Sequence, residues 1–213
     1  MPRVGILGGT FNPPHIGHLV CAEDARDQLG LDEVLLMPVH RPPHKEAVGD
    51  PGPAARLLLC ELAVAGEARL RASSLEVDRG GPSYTVDTLR VLHDRSPEDE
   101  LTFIVGADMA QSLGTWREPA EVLRLACLAV AGRDGVPAAD VEQALAPFHD
   151  GSRLAFFEMP RIDVSSSMLR RWIAAGRSVR HLVPEAVAAA IDEHGWYRDT
   201  APRAEGARQE VQG

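Results

Sequence analysis

Short apolar runs alternate with amphipathic segments along most of the chain, and this alternation constrains the fold more than any other feature. Val4–Leu7, Glu33–Met37 and Leu101–Val105 have the length and composition of buried strands. Leu19–Leu29 has apolar residues at helical spacing, and Gly30 follows it as a stop signal. Because buried strands that alternate with helices form parallel sheets covered on both faces, the pattern predicts an α/β protein.

The remaining predicted elements extend this pattern almost to the end of the chain. Further strands are expected around Ala68–Ala72, Leu75–Val77, Cys127–Ala131 and Leu154–Phe157. Further helices are expected over Ala54–Ala65, from a Ser83 or Thr85 cap to Asp94, and over Pro119–Leu125, Pro137–Ala146, Ser166–Ala174 and Pro184–Glu193. We therefore expect a Rossmann-like, doubly wound, mostly parallel sheet with a small C-terminal helical subdomain. Residues 199–213 have few bulky apolar side chains and are expected to be a disordered tail.

The composition is that of an ordinary folded domain, with 213 residues of which 45% are hydrophobic and 25% charged. The 31 acidic residues outnumber the 22 basic ones, so the net charge is −9. A surface this acidic repels polyanions. We therefore expect neither nucleic acid nor an anionic membrane among the partners.

The sequence has no pattern typical of export or of membrane insertion. Its first ten residues are too short and glycine-rich for the apolar part of a signal peptide, and its apolar runs fall short of the roughly 18 residues of a membrane span. Cys21, Cys60 and Cys127 are widely spaced and odd in number, which favours buried thiols over disulfides or a metal site. We therefore expect a cytoplasmic protein with reduced cysteines.

The segment after the first predicted strand has the features of a phosphate site. Ligands of doubly wound sheets bind beyond the carboxyl ends of the strands, and here the sequence reads GGTFNPPHIGH over residues 8–18. Gly8 and Gly9 would let the backbone bend sharply and approach an anion with no Cβ in the way, and the next helix offers it free N–H groups. His15 and His18 are one helical turn apart, so both imidazoles can donate hydrogen bonds to one phosphate.

Other interpretations of this segment are weaker. A single histidine is more often structural than functional, but here two of them share a helical face. A zinc site would need a third ligand beside His15 and His18, and no nearby Cys or carboxylate pattern supplies one. The spacing of the glycines differs from GxGxxG, which disfavours a dinucleotide-binding dehydrogenase.

Other candidate residues each have two interpretations. The three serines 165–167, with Arg170, can hold a triphosphate, although an ordinary helix cap accounts for one serine. Lys45, in the polar loop 39–53, and Arg133 would ordinarily be solvated side chains, but both follow predicted strands at the edge where ligands bind. Trp116 follows two small loop residues, where an aromatic ring could stack on it, although tryptophan is by default a core residue. Asp108 either holds a ribose hydroxyl or caps a helix.

Several motifs together resemble a known family. The HxGH element of residues 15–18 resembles the signature of the nucleotidyltransferase superfamily, and the string GGTFNPPHIGHL is similar to that of bacterial nicotinate mononucleotide adenylyltransferases. Four further segments resemble that family in order and spacing: Arg41–Lys45, Gly81–Leu89, Ile104–Asp108 with Leu113 and Trp116, and Val164–Arg170. The resemblance spans about residues 3–197, and five ordered motifs are far more specific than HxGH alone.

The resemblance implies an enzyme of NAD biosynthesis. The 5′-phosphate of nicotinate mononucleotide would attack the α-phosphorus of ATP, giving the deamido form of NAD and pyrophosphate. Mg²⁺ would accompany the ATP phosphates with few protein ligands, so no metal-binding residue is assigned. Residues 1–198 would be the nucleotidyltransferase domain, in which 165–197 close the ATP site. Both substrates are small molecules, and a homo-oligomer is left open.

The resemblance also assigns residues to the two substrates. His15 and His18 would be catalytic, stabilising the α-phosphate and the departing pyrophosphate. The expected ATP-binding residues are Gly8, Gly9, Thr10, Phe11, His15, His18, Lys45, Gly106, Asp108, Ser166, Ser167 and Arg170. The expected nicotinate mononucleotide-binding residues are Thr10, Asn12, Lys45, Tyr84, Thr85, Trp116 and Arg133. In the family, backbone N–H groups at the positions of Thr85 and Trp116 meet the nicotinate carboxylate.

One motif departs slightly from the family pattern. The family usually has Ile-Ser-Ser-Thr-x-Ile-Arg near the C-terminus, where this chain has Val164, Ser167 and Leu169 in place of Ile, Thr and Ile. These replacements keep the chemistry of each side chain, so the expected contacts are unchanged.

Two alternatives stay beside this assignment. A pantetheine-phosphate or cytidylyl transferase shares the first motif and the fold, but Gly81–Leu89 and the segment from Asp108 to Trp116 suit a pyridine nucleotide better. A catalytically silent nucleotide-binding module is the alternative of another class, and the presence of both histidines, Lys45 and Arg170 speaks against it. A class I tRNA synthetase is excluded by size, acidity and the lack of a Lys-Met-Ser-Lys-Ser segment.

Overall fold

One parallel sheet forms the centre of the molecule. The computed structural model describes residues 1–42, 49–132, 137–148 and 153–198. In these ranges the strands are β1 (Arg3–Gly9), β2 (Glu33–Pro38), β3 (Leu70–Ala72), β4 (Glu100–Gly106), β5 (Cys127–Gly132) and β6 (Leu154–Glu158). Their order is β3-β2-β1-β4-β5-β6, and each described pairing is parallel. The expected doubly wound α/β fold is confirmed. The strand order runs outward in both directions from β1 and β4, so the switch point of the sheet lies between these two strands.

Helices cover both faces of the sheet. They are α1 (Ile16–Leu29), α2 (Pro53–Ala63), α3 (Leu75–Arg79), α4 (Thr85–Arg95), α5 (Ala107–Gln111), α6 (Pro119–Leu125), α7 (Ala138–Leu145), α8 (Ser166–Ala174) and α9 (Glu185–His194). Successive strand residues enter different cores: Ile6 packs with α4 and α6, whereas Leu7 packs with α1. This alternation explains why the strands are apolar throughout.

The C-terminal helices pack on the edge of this arrangement. A third apolar cluster joins Leu59 of α2 to Leu169 of α8 and to Val187 and Ile191 of α9. The expected C-terminal helical subdomain is therefore anchored on α2, the helix that follows the loop after β2.

Two local predictions were wrong. Leu75–Val77, expected as a strand, begins helix α3, where Ser74 donates a hydrogen bond to Asp78 at 2.6 Å and the Asp78 N–H bonds back to the Ser74 carbonyl. The short run Leu-Glu-Val fits either period, and the hydrogen bonds one turn apart favour the helix. Neither Ser83 nor Thr85 caps α4, because its N-cap is Tyr84, which makes no side-chain capping bond.

The cysteines agree with their expected role. All three are free thiols; Cys21 and Cys60 are buried in the core around α1 and α2, and Cys127 is half-buried. Burial raises the pKa of the Cys60 and Cys127 thiols.

Among the helices of the described ranges, none combines the length and the apolar composition that a membrane span needs.

Close packing in the sheet centre requires a glycine in β1. A Cβ at Gly5 would lie 2.8 Å from Leu31 and 2.9 Å from Val34, both of which are buried. At Gly132 in β5, the nearest atom to an added Cβ is the Phe157 carbonyl oxygen at 3.4 Å, an ordinary contact.

We expect Gly5→Ala to lower the free energy of unfolding by about 1–3 kcal/mol, because the added methyl overpacks the core. Gly132→Ala is the matched control, and its effect should stay within about 0.5 kcal/mol. Urea denaturation of both variants measures the difference. Equal stabilities would contradict the described packing of β1.

Candidate functional site

The turn between β1 and α1 lies at the carboxyl edge of the sheet. Gly8 and Gly9 end β1, and a Cβ on them would lie 3.1 Å from the Phe103 ring and 3.2 Å from the Phe11 ring. The sharp bend comes from Phe11, whose φ of 49° is left-handed, and neither glycine has a positive φ. The expectation that the glycines make the bend was wrong, since their part is to leave room for two aromatic rings.

His15 and His18 come together as the spacing predicts. His15 is the N-cap of α1, and the two rings stack with centroids 3.8 Å apart at an interplanar angle of 29°. The His15 backbone N–H donates to His18 Nδ1 at 3.2 Å. Because Nδ1 accepts this bond, a neutral His18 carries its proton on Nε2, which can then donate to a ligand.

Two neighbours fix the imidazole pair. The Phe11 ring meets the His18 ring edge-on with centroids 4.9 Å apart. A Cβ at Gly17 would lie 3.1 Å from His15 Nδ1, so the glycine between the two histidines makes room for the His15 ring. The HxGH spacing therefore has a steric reason as well as a chemical one.

A buried arginine that the sequence analysis missed ties the loops of the site together. Arg56 of α2 has no exposed surface, and its Nε donates to Asp50 Oδ1 at 2.9 Å. Its Nη1 donates to the carbonyls of Thr10 at 3.0 Å and Val39 at 2.6 Å, and its Nη2 donates to the His40 carbonyl at 2.9 Å. One guanidinium thus joins the β1–α1 turn to the loop after β2 and to the start of α2.

The start of α8 contacts the turn from the other side. Ser166 Oγ donates to the Pro13 carbonyl at 2.8 Å. Arg170 donates to the Asn12 carbonyl at 2.8 Å through Nη1 and to Ser167 Oγ at 3.1 Å through Nη2. The expected residues of the serine motif therefore lie at the β1–α1 turn.

Two further contacts complete this junction. Ser165 caps α8 by accepting the Met168 N–H at 3.2 Å, so the ordinary cap accounts for that serine. The Ile16 N–H, first in α1, donates to the Leu182 carbonyl in the α8–α9 loop at 3.0 Å. Burial lowers the pKa of Arg170, while Tyr197 and Asp50 oppose this change.

A group of aromatic side chains, Tyr84, Phe103 and Trp116, lies on the other side of the switch point between β1 and β4. Trp116 meets the Phe103 ring edge-on at 5.9 Å, and its indole Nε1 donates to Ser112 Oγ at 3.3 Å. The Arg117 guanidinium lies 5.0 Å from the centre of the Tyr84 ring. Since Phe103 also lies beneath Gly8, it connects this group to the β1–α1 turn.

The residues at the end of β4 settle one alternative. Gly106 is the N-cap of α5, so the interpretation of Asp108 as the cap was wrong. The Asp108 side chain is exposed and folds back so that its Oδ1 would lie 2.8 Å from a Cβ at Gly106. Its carboxylate is therefore available at the carboxyl edge. Lys45 and Arg133 lie outside the described residues.

The arrangement suits an anion with several oxygens. The imidazoles, the Arg170 guanidinium and the Ser167 hydroxyl can donate from different directions around one turn, while the Ser166 hydroxyl gives its proton to the Pro13 carbonyl. In the described ranges, no three His, Cys, Asp or Glu side chains form a group that could hold a metal ion.

The chain is similar to proteins of known families over most of its length. A family model described as cytidylyltransferase-like matches residues 6–172. A probable nicotinate-nucleotide adenylyltransferase of Rubrobacter xylanophilus is 40% identical over 205 residues, which cover 96% of each chain. Another, of Thermus thermophilus, is 43% identical over 197 residues, covering 92% of this chain and 100% of the relative.

A solved structure shares the fold at low sequence identity. The Plasmodium falciparum nicotinic acid mononucleotide adenylyltransferase complexed with NaAD matches with a TM-score of 0.75 and 15% identity. The match covers 92% of this chain and 98% of that one. At this identity the likeness supports the architecture described above.

We expect Arg56→Lys to lower the free energy of unfolding by about 3–5 kcal/mol. A lysine keeps the charge but cannot reach Asp50 and three carbonyls at once, so buried acceptors lose their partner. Arg124→Lys is the matched control, since Arg124 makes a two-pronged bond to Glu121 on the exposed surface. Thermal and urea unfolding should show no change in the free energy of unfolding for Arg124→Lys. An equally small change for Arg56→Lys would show that the Arg56 bonds do not hold the loops.

Proposed function

The chain belongs to the cytidylyltransferase-like family and, within it, to the nicotinate-nucleotide adenylyltransferases, and we propose that it performs their reaction at the carboxyl edge described above. It transfers the adenylyl group of ATP to nicotinate mononucleotide in NAD biosynthesis. An oxygen of the mononucleotide 5′-phosphate attacks the α-phosphorus, the bond to the bridging oxygen of pyrophosphate breaks, and deamido-NAD and pyrophosphate form. The protein's task is to align two phosphates and to stabilise their charge.

The observation that carries the residue assignment is the fixed imidazole pair. His18 Nδ1 is occupied by the His15 N–H, so Nε2 is the donor that faces outward from this bond. We place the α-phosphate and the pyrophosphate oxygens against His15 and His18, where a donor gains strength as charge builds up. Gly8 and Gly9 end β1 beside this pair, Thr10 and Phe11 begin the turn, and we assign all four to ATP.

The C-terminal helices supply the second half of the ATP site in this proposal. Residues 1–198 then act as one nucleotidyltransferase domain, with 165–197 closing over ATP. The bonds from Ser166 and Arg170 to the Asn12–Pro13 carbonyls support it, because they hold the hydroxyls and guanidinium at the turn. Arg170 uses two of its five N–H groups on Asn12 and Ser167, which leaves donors for the triphosphate.

The nicotinate nucleotide is assigned to the aromatic side of the edge. We place the pyridine ring against Tyr84 and Trp116, because aromatic side chains can stack on it. The first N–H groups of α4, which begins at Thr85, have no side-chain cap, so a nicotinate carboxylate can accept them. A neutral carboxamide gains less from the same donors, which favours the acid. Asn12, Lys45 and Arg133 complete the assignment to this substrate.

The remaining assignments concern the metal and the end of β4. We infer that Mg²⁺ arrives with the ATP phosphates, whose charge it partly neutralises, because Mg²⁺ on nucleotides takes few protein ligands. Gly106 and Asp108 are assigned to ATP, with the exposed carboxylate on a ribose hydroxyl. The net charge of −9 supports small-molecule partners without nucleic acid, and the free cysteines support a cytoplasmic location.

We expect His18→Asn to lower kcat by about 10²–10³-fold without loss of fold. An asparagine oxygen can still accept the His15 N–H, but the side chain has no donor at the place of Nε2. His93→Asn, at the far end of α4, is the matched control and should keep full turnover. Turnover of His18→Asn close to the native rate would remove His18 from the mechanism.

A parallel-substrate assay tests the reaction itself. Pyrophosphate release from ATP is followed with nicotinate mononucleotide, nicotinamide mononucleotide or phosphopantetheine. We expect kcat/KM to be highest for the nicotinate nucleotide, about tenfold or more above the amide, and no release with phosphopantetheine. Preferred release with phosphopantetheine would favour the rival transferase, and binding without release in all three a silent module.

A further inference from the structure

A buried polar cluster of Glu76, Arg79 and Thr88 joins α3 to α4, and none of the three is assigned to a substrate. Glu76 of α3 is 5% exposed and Thr88 of α4 is 0% exposed. Thr88 Oγ1 donates to Glu76 Oε1 at 2.5 Å, and Arg79 Nη2 donates to Thr88 Oγ1 at 3.1 Å. The threonine hydroxyl therefore connects a buried carboxylate to a guanidinium.

The direction of the threonine proton is unusual for a helix. A helical threonine commonly donates to the carbonyl four residues earlier, which here is that of Tyr84. That oxygen lies 3.4 Å from Thr88 Oγ1, farther than the Glu76 oxygen at 2.5 Å. The hydroxyl has one proton, and it donates that proton in the hydrogen bond to the Glu76 carboxylate. The Tyr84 carbonyl accepts the main-chain N–H groups of Asp87 and Thr88 instead.

A second set of bonds holds the residues just before α4. Ser83 is buried, its N–H donates to the Arg41 carbonyl at 3.0 Å, and its Oγ accepts the His40 N–H at 2.9 Å. Burial raises the pKa of Glu76, and Thr88, Ser83 and Arg79 oppose this rise. Glu76 is thus hydrogen-bonded to the first turn of α4 through Thr88, while Ser83 joins the residue before α4 to the loop after β2.

Burying this carboxylate is costly, and an apolar pair would hold two helices together without that cost. A carboxylate that accepts the Thr88 hydroxyl does something that an apolar pair does not, because the hydrogen bond fixes direction as well as contact. No side chain caps the first turn of α4, which is hydrogen-bonded to Glu76 through Thr88 instead.

We propose that Glu76, through Thr88, is a positioning residue for the pyridine nucleotide: it sets where the first N–H groups of α4 lie relative to Trp116. This inference rests on the proposed function of the same site. Glu76 does not touch the substrate, and it acts through the backbone of Tyr84 and Thr85. Its loss therefore weakens binding of the nicotinate carboxylate and leaves the ATP side unchanged.

The test compares Thr88→Val, which keeps the shape and removes the hydroxyl, with Thr88→Ser, which keeps the hydroxyl. We expect Thr88→Val to raise KM for nicotinate mononucleotide about tenfold, with KM for ATP changed less than about twofold and kcat little altered. Thr88→Ser should restore most of the affinity. Thr102→Val, a buried threonine in β4 away from the carboxyl edge, is the control for a merely structural loss.

Each outcome decides between the two ideas. A native protein that makes no dinucleotide from nicotinate mononucleotide overturns the proposed function. A native protein that is active, with Thr88→Val showing unchanged constants or an equal rise in both KM values, overturns the positioning role alone. Should Thr88→Val fail to fold, Glu76→Gln, which keeps an acceptor oxygen but loses the charge, is measured for the same selective rise in KM.

Discussion

The carboxyl ends of β1 and β2 are joined by one guanidinium without exposed surface, that of Arg56, and the geometry of the site depends on it. Main-chain carbonyls at strand ends have no partner within the sheet and need one when they are buried. Arg56 meets three of them and is itself balanced by Asp50. In the proposed function this turn binds a flexible polyphosphate, and Arg56 holds it in one shape before the ligand arrives, which lowers the cost of binding.

The charges of the site are arranged against the net charge of −9. The Asp50 carboxylate neutralises the charge of Arg56, so Arg56 acts through its hydrogen bonds to the loop carbonyls. Arg170 donates to a carbonyl and a hydroxyl, neither of which carries charge, so its positive charge is not neutralised by these two bonds. The imidazole pair adds directional donors. In the proposed function, an acidic protein thus holds ATP through a few short contacts, which a long-range field would not supply.

Much of this could be predicted from the sequence, since strand and helix periods alone give the parallel sheet, and the bounds of α6 and α8 match their prediction. The motif spacing also placed both histidines at one turn. Arg56 was missed because α2 resembles an ordinary amphipathic helix, yet its buried residues Arg56, Leu59, Cys60 and Ala63 follow helical spacing, so an arginine on the apolar stripe was the available signal. The bend at Phe11 and the helix at Leu75 depend on tertiary contacts and local hydrogen bonds that no periodicity encodes.

The proposed function requires the β1–α1 turn, with its imidazole pair, to bind the triphosphate. A crystal structure of the protein with a non-hydrolysable ATP analogue and Mg²⁺ would locate the phosphates. We expect α-phosphate oxygens within about 3.2 Å of His18 Nε2, next to the backbone of Gly9 and Thr10. An analogue bound at the amino ends of the strands, with both imidazoles left without a phosphate contact, would contradict it.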